Sequence, residues 1–240
     1  MSMVDILIMQ SLLKAIKKGS RLIMAGDINQ LPSVGPGNVL KDIIKSGIAK
    51  TTYLTEIFRQ AEKSMIVVNA HRIINGKLPV SNGGNTDFFF ANLPDAVKGT
   101  EYIVSLVTDK LPKRYGVGAF DIQVLSPYKK GIAGIINLNS MLQKKINPFD
   151  IKKNQKDFGD ITFREGDKVM QNRNNYDIKW TDISNGSEGS GVFNGDVGYI
   201  QFINHSLKNV TVIMDERCVV YDFKNLDELD LAYAITVHKS

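Results

Sequence analysis

The chain has almost no cysteine and no apolar run long enough to cross a bilayer. Cys218 is its single thiol, so no internal disulfide can form and a cytosolic compartment is expected. The longest apolar stretches are a few residues, against about 18 or more for a spanning helix, so no membrane association is expected. No charged-then-apolar leader opens the chain, and nothing marks it for export. Histidine is scarce, three in 240 residues, and His71 has no partner ligand at a useful spacing, so no metal site is expected. The pattern Gly-x-x-x-x-Gly-Lys-[Ser/Thr] is also missing: Gly76-Lys77 has His71 where the first glycine should stand. The cradle of backbone amides that this pattern builds for nucleotide phosphates is therefore absent. What is present is ordinary globular composition, 43% hydrophobic and 23% charged, which excludes wholesale disorder. Thirty Lys and Arg against 25 Asp and Glu leave a net charge of +5. That excess permits a polyanionic partner without demanding one.

Periodicity gives the organisation. Ile6, Met9, Leu13 and Ile16 recur at three- and four-residue steps and predict a helix closed by Lys17, Lys18 and Gly19. Residues 21–25 read as a buried parallel strand with Asp27 emerging at its carboxyl end, and 30–37 as a rigid loop with two prolines and two glycines. Helices are expected over 39–46, over 64–75 with Gly76 as stop, and from a cap at Asp95 to about 109. Phe88–Phe90 and Ile122–Leu125 read as strands, and 131–145 as a helix packing Ile132, Ile135, Ile136 and Leu142. Strand–helix alternation of this kind argues for an α/β fold with a parallel sheet. Near residue 155 the period shortens to two. Strands at 168–170, 197–200, 210–214 and 218–221, with a tight turn at Asp215-Glu216, suggest a small antiparallel barrel, in which the polar stretch 181–191 is a mobile loop. Residues 231–237 return to the buried-strand type.

Several strings carry chemistry together that none carries alone. Gly26-Asp27-Ile28-Asn29-Gln30-Leu31-Pro32 resembles the third motif of superfamily 1 helicases. An amide such as Gln30 can donate to a phosphate oxygen and accept from an attacking water. Leu54-Thr55-Glu56-Ile57-Phe58-Arg59-Gln60 resembles motif IV of the RecD-like branch, whose members include the exodeoxyribonuclease V alpha subunit. The resemblance makes Arg59 the arginine that meets the terminal phosphate, a role suited to a planar, permanently charged fork. Ser126-Pro127-Tyr128-Lys129-Lys130-Gly131 resembles the string at the next strand end, where Ser126, Lys129 and helix-start amides favour a phosphate backbone. Asn174-Asn175-Tyr176 and Val192-Phe193-Asn194-Gly195-Asp196 match the family's SH3-like insertion, domain 2B, which packs over the single strand, so Tyr176 is a candidate contact. Ala234-Ile235-Thr236-Val237-His238-Lys239-Ser240 resembles the start of motif V, with Thr236 and His238 near the DNA backbone and Lys239 near the coupling path.

The resemblance implies a RecA-like α/β fold comprising the end of domain 1A at 1–50, domain 2A at 51–155 and 224–240, and an SH3-like barrel, 2B, at 156–223. It implies an interior piece of an ATP-dependent DNA helicase that moves 5′ to 3′ in repair and recombination, with single-stranded DNA, ATP and other repair-complex subunits as partners. Gly26, Asp27, Gln30 and Arg59 would bind ATP, with Gln30 and Arg59 catalytic. Mg²⁺ and most of the ATP contacts would come from sequence preceding Met1-Ser2-Met3-Val4-Asp5. A nucleic-acid-binding module without motor activity is the alternative. A nuclease is disfavoured, because no clustered Asp/Glu-x-Lys metal site occurs.

Overall fold

The computed structural model describes residues 1–54, 64–80 and 86–236, and the chain divides into two compact units, 1–92 and 93–240. Among the described residues no helix is long and apolar enough to cross a membrane.

In the first unit, helix α1 (Ile6–Ala15) begins where Asp5 Oδ1 accepts from Ile8 N at 2.7 Å, the expected use of a short carboxylate at a helix start. Helix α2 spans Val39–Ser46 and α3 spans Met65–Ile74. The Ser64 hydroxyl caps α3 and donates to Asp87 Oδ2 at 2.5 Å, while Asp87 Oδ1 accepts from Met65 N at 2.7 Å. The Ser64 bond leads the contacts that hold the Asp87 carboxyl below its ordinary range. Asn69, buried in α3, clasps residue 80 by donating to Val80 O at 2.8 Å and accepting from Val80 N at 2.7 Å.

Two expected strands do not form. Residues 21–27 run without a strand partner, and Ile23 is 91% exposed. Residues 88–90 are likewise outside any sheet, with Phe89 and Phe90 exposed. A buried parallel strand needs hydrogen-bonded neighbours, and no strand occurs among the described residues of this unit. Apolar content alone could not supply that partner.

The second unit opens with helix α4 (Ala96–Ser105), capped by Asp95 Oδ1 accepting from Val97 N and Lys98 N. It continues through a π-turn at Leu106–Lys110 into the short helix α5 (Leu111–Tyr115). Pro112 has no amide for the Thr108 carbonyl, and the Leu111 amide instead reaches Leu106 O. Strand β1 (Val124–Ser126) is followed by helix α6 (Ile135–Ile146). Next come a hairpin, β2 (Gln155–Phe158) and β3 (Ile161–Arg164), and strands β4 (Lys168–Gln171), β5 (Asn175–Asp182), β6 (Glu188–Val192), β7 (Val197–Asn204), β8 (Asn209–Met214), β9 (Arg217–Asp222), β10 (Leu229–Leu231) and β11 (Ala234–Thr236).

Seven of these strands form one antiparallel sheet in the order β10-β4-β7-β8-β9-β5-β6. Its inward residues, among them Val169, Ile200, Val212, Met214, Val219 and Tyr221, share one core with Phe163 of β3. The Asp215-Glu216 turn is present, with Asp215 at φ 53°. The polar segment 181–191 is not one loop. Residues 188–191 lie in β6, because Gly189 pairs with Trp180 and any Cβ there would run into the indole. The tryptophan supplies the apolar cover that the segment itself lacks.

The run 231–237 is also divided. Leu231 pairs with Val169 in the barrel sheet, and Ala234–Thr236 pairs in parallel with β1, Val124 opposite Ala234 and Ser126 opposite Thr236. One short apolar run thereby serves two sheets.

Candidate functional site

The turn at 26–37 is built around the start of α1. Asp27 Oδ1 accepts from Asn29 N at 2.8 Å and Asp27 O from Gln30 N at 3.3 Å. The Ser33 hydroxyl, 3.1 Å from both the Gly35 and Gly37 carbonyl oxygens, knits the second half. Gly35 lies against Asp5 so closely that a Cβ would overlap the carboxylate, and Gly37, at φ 93°, would press a Cβ to within 2.6 Å of Ile6 Cδ1. Packing therefore requires glycine at 35, and packing and backbone conformation together require it at 37. Gln30 is exposed, and its Oε1 accepts from the Ser2 hydroxyl at 3.4 Å. Gly26 packs against Leu40 and Ser2. Arg59 and the string around it lie outside the described residues, as do His238 and Lys239. The structure thus positions Gln30, Gly26 and Asp27 on one turn. Among the described residues no three His, Cys, Asp or Glu side chains converge as a metal site.

The second cluster sits at the β1–β11 edge. Ser126 and Thr236 are register partners, which brings the 127–134 loop beside the end of β11. The Ser126 side chain is buried: its hydroxyl donates to Ala133 O at 2.7 Å and accepts from Tyr128 N at 3.2 Å. The first amides of α6 are also spoken for, Ile135 N by Tyr128 O at 3.0 Å and Ile136 N by Lys129 O at 3.3 Å. This changes the chemistry expected of the loop. Its helix-start amides and Ser126 hydroxyl close the loop on itself, leaving exposed Tyr128, Lys129 and Lys130 side chains as its outward groups.

Sequence reasoning missed what holds this edge to the barrel. Asn139, Gln143 and Asn147 follow one another at four-residue steps on or just past α6, and all are buried. Ile132 and Ile136, expected inside, are about half exposed. The amides turn inward because each finds a partner. Asn139 accepts from Ala234 N at 2.8 Å and donates to Leu231 O and Ala234 O, both at 2.9 Å. Gln143 Nε2 and Asn147 Nδ2 donate to Asp167 at 2.6 and 2.7 Å, joined by Arg164 N at 2.7 Å and the Tyr233 hydroxyl at 2.9 Å. Burial pushes the Asp167 carboxyl above its ordinary range, although these donors pull the other way. Burial, followed by the Asp167 charge, likewise raises Tyr233. The repeated amide spacing was visible in the sequence; the carboxylate it grips was not.

Glu228 forms a second such centre. Gln171 Nε2, Asn175 Nδ2 and Arg173 donate to it, and Tyr221 in turn donates to Gln171 at 2.9 Å. Burial raises the Glu228 carboxyl, but these bonds outweigh it and leave the group below its ordinary value. Tyr176 lies beside this centre and is exposed.

Residues 138–214 match the family described as the ATP-dependent RecD-like DNA helicase SH3 domain, and residues 1–84 match an AAA domain. The whole chain is 31% identical to the ATP-dependent RecD2 DNA helicase of Deinococcus radiodurans, over 30% of that protein's length. It is 26% identical to an uncharacterised protein of Methanocaldococcus jannaschii, again over the whole chain and 25% of that protein. A solved structure of two coordinating Pif1 helicases at forked DNA aligns with 90% of this chain and 50% of that one, at 20% identity and a TM-score of 0.40. The chain spans less than a third of the length of these two curated relatives. The matched SH3 segment, the matched AAA segment and the end-to-end similarity to a RecD2 protein make this chain similar to a stretch of a RecD-like helicase.

Proposed function

We propose that this chain is the part of an ATP-driven DNA helicase that grips single-stranded DNA and senses the nucleotide. In this reading ATP hydrolysis is coupled to 5′-to-3′ movement along one strand and to duplex unwinding, in repair and recombination. The boundaries are residues 1–50 for the end of the first motor domain, 51–155 with 224–240 for the second, and 156–223 for the barrel. The observation that carries the DNA reading is the parallel register of Ser126 with Thr236. It supports an edge on which Lys129 and Thr236 meet the DNA backbone; His238 and Lys239, read in the same role, lie outside the described residues. Ser126 acts there by shaping the loop, since its hydroxyl is already bonded. Tyr176 contributes from the barrel.

For ATP, the turn bearing Gly26, Asp27 and Gln30 suits an amide that senses a terminal phosphate, with Arg59 supplying the opposing charge. The 240 residues contain no phosphate-cradling glycine-lysine loop. The fit is thus to one side of the nucleotide, and the rest of the cradle and the Mg²⁺ ligands belong to residues outside this sequence. Mg²⁺, where bound, neutralises charge on the transferring phosphoryl group. Because positioning and metal charge supply most of that catalysis, the chain alone is expected to show no DNA-stimulated ATP turnover.

The test is binding of the 240-residue chain to single-stranded DNA across a salt series. Each phosphate contact should contribute about −0.7 to the slope of log affinity on log salt. A flat response, or robust ATP turnover by the chain alone, contradicts this assignment.

A further inference from the structure

Strand β5 does not run evenly against β6. Asn175 faces Val192 and Lys179 faces Ser190, so four steps on one strand match two on the other. The surplus at 176–178 is a bulge, a device that re-aims a side chain at the expense of ladder bonds. The amides it releases are taken up by Asn175 Oδ1, which accepts from Asp177 N and Ile178 N, both at 3.1 Å. Asn175 is anchored in turn, its Nδ2 lying 3.1 and 2.9 Å from the two oxygens of buried Glu228. The bulge sets Tyr176 against Phe193, ring centroids 5.5 Å apart and planes at 73°.

Phe193 has its own frame. Its amide donates to Asp196 Oδ2 at 3.0 Å, Gly195 N donates to Gln171 O at 2.9 Å, and Asn194 N donates to Asn174 Oδ1 at 2.9 Å. Gly195 adopts φ 98°, which lets this turn close. Yet Tyr176 is 66% and Phe193 42% exposed. The barrel core is complete without them. A frame that spends a buried carboxylate to hold two rings in solvent implies a ligand for those rings.

We propose that Tyr176 and Phe193 form a stacking step for one unpaired base of a nucleic-acid strand, with Asn175 and Glu228 as positioning residues. This rests on the DNA reading above; it adds Phe193 as a contact and a base, not a phosphate, as the group recognised. The local charge decides between the two. Asp177, Asp196, Asp227 and Glu228 gather in these segments, while Arg173 is paired with Asp227 at 2.9 Å and Glu228 at 3.1 Å, and Arg217 with Asp196 at 3.2 Å. A phosphate would meet carboxylates here. A base offers a neutral face, and base–aromatic stacking tolerates any sequence.

The experiment measures binding of the 240-residue chain to an oligothymidylate and to an abasic strand of equal length. Tyr176→Leu and Phe193→Leu should each weaken oligothymidylate binding by about 5- to 150-fold. Neither should alter the salt slope or the affinity for the abasic strand, and Tyr176→Phe should retain binding. Asn175→Ala, which frees the bulge but keeps the ring, should also weaken binding to the thymidylate strand. Equal losses on both strands, or no loss on either, overturn the stacking step while the DNA reading stands. Failure of the unaltered chain to bind either strand overturns the DNA reading and the stacking step with it. Should a leucine variant unfold, the unaltered chain decides: it must prefer the thymidylate strand, and equal affinity for the two strands refutes the proposal.

Discussion

Replacing Asp167 by asparagine changes one atom at the point where α6, the barrel and the strand returning to the parallel sheet meet. Each carboxylate oxygen serves two donors: Oδ1 accepts from Asn147 and Tyr233, Oδ2 from Gln143 and Arg164. Whichever way the new amide turns, its NH₂ faces two donors. A stranded buried donor costs about 1–3 kcal/mol, so two cost about 2–6 kcal/mol. Removing a buried charge returns part of this. The expected net loss is about 2–4 kcal/mol, or a fall in Tm of roughly 5–15 °C for a unit of this size. Thermal unfolding of the chain followed by circular dichroism reads it, with exposed Asp160→Asn as a control expected to change stability by less than about 0.5 kcal/mol. A D167N chain as stable as the unaltered one would mean that the buried charge costs as much as its hydrogen bonds return. The carboxylate would then not be what fastens α6 to the barrel.

Other consequences are as direct. Lys129→Ala should weaken single-strand binding and make the salt slope shallower by about 0.7, one phosphate contact; an unchanged slope removes Lys129 from the interface. The Glu228 carboxyl is held below its ordinary 4.5, so the stability it contributes is present above that value and disappears as pH falls through the lowered folded value. Glu228→Gln should flatten the acid-side fall in urea midpoint between the two values, and an unaltered pH profile would contradict this. Gly189→Ala should displace the indole of Trp180, the single tryptophan, and the shift in its emission maximum reports it without interference; an unmoved spectrum means the strand gives way instead.

Much of the architecture is legible in residue order, for identifiable reasons. Helix α1 announces itself by apolar residues at three- and four-residue steps and α3 by its stop at Gly76, both local signals, whereas the caps at Asp5 and Ser64 emerge with the structure. The strands expected at 168–170, 197–200, 210–214 and 218–221 follow from two-fold alternation with a turn at Asp215-Glu216, and they form as 168–171, 197–204, 209–214 and 217–222. What resisted was set by partners distant in sequence. The apolar 21–25 segment has the composition of a strand but, among the described residues of its unit, no strand to pair with. The run at 231–237 reads as one strand and its described part is shared between two, because Asn139 holds Ala234 while β4 holds Leu231. Helix α6 buries amides instead of Ile132 and Ile136 because a carboxylate 24 residues beyond Gln143 waits for them. At the candidate site, the charge of Lys129 is local information, whereas the inward turn of Ser126 and the ring partner of Tyr176 are properties of the folded chain.

The most direct measurement of DNA engagement is photo-crosslinking of the 240-residue chain to a single strand carrying 4-thiothymidine, followed by peptide mapping. Crosslinks concentrated at 126–131 and at 174–194 are the predicted result. Crosslinks spread over α4 and α5, or none above those of an unsubstituted strand, would contradict it.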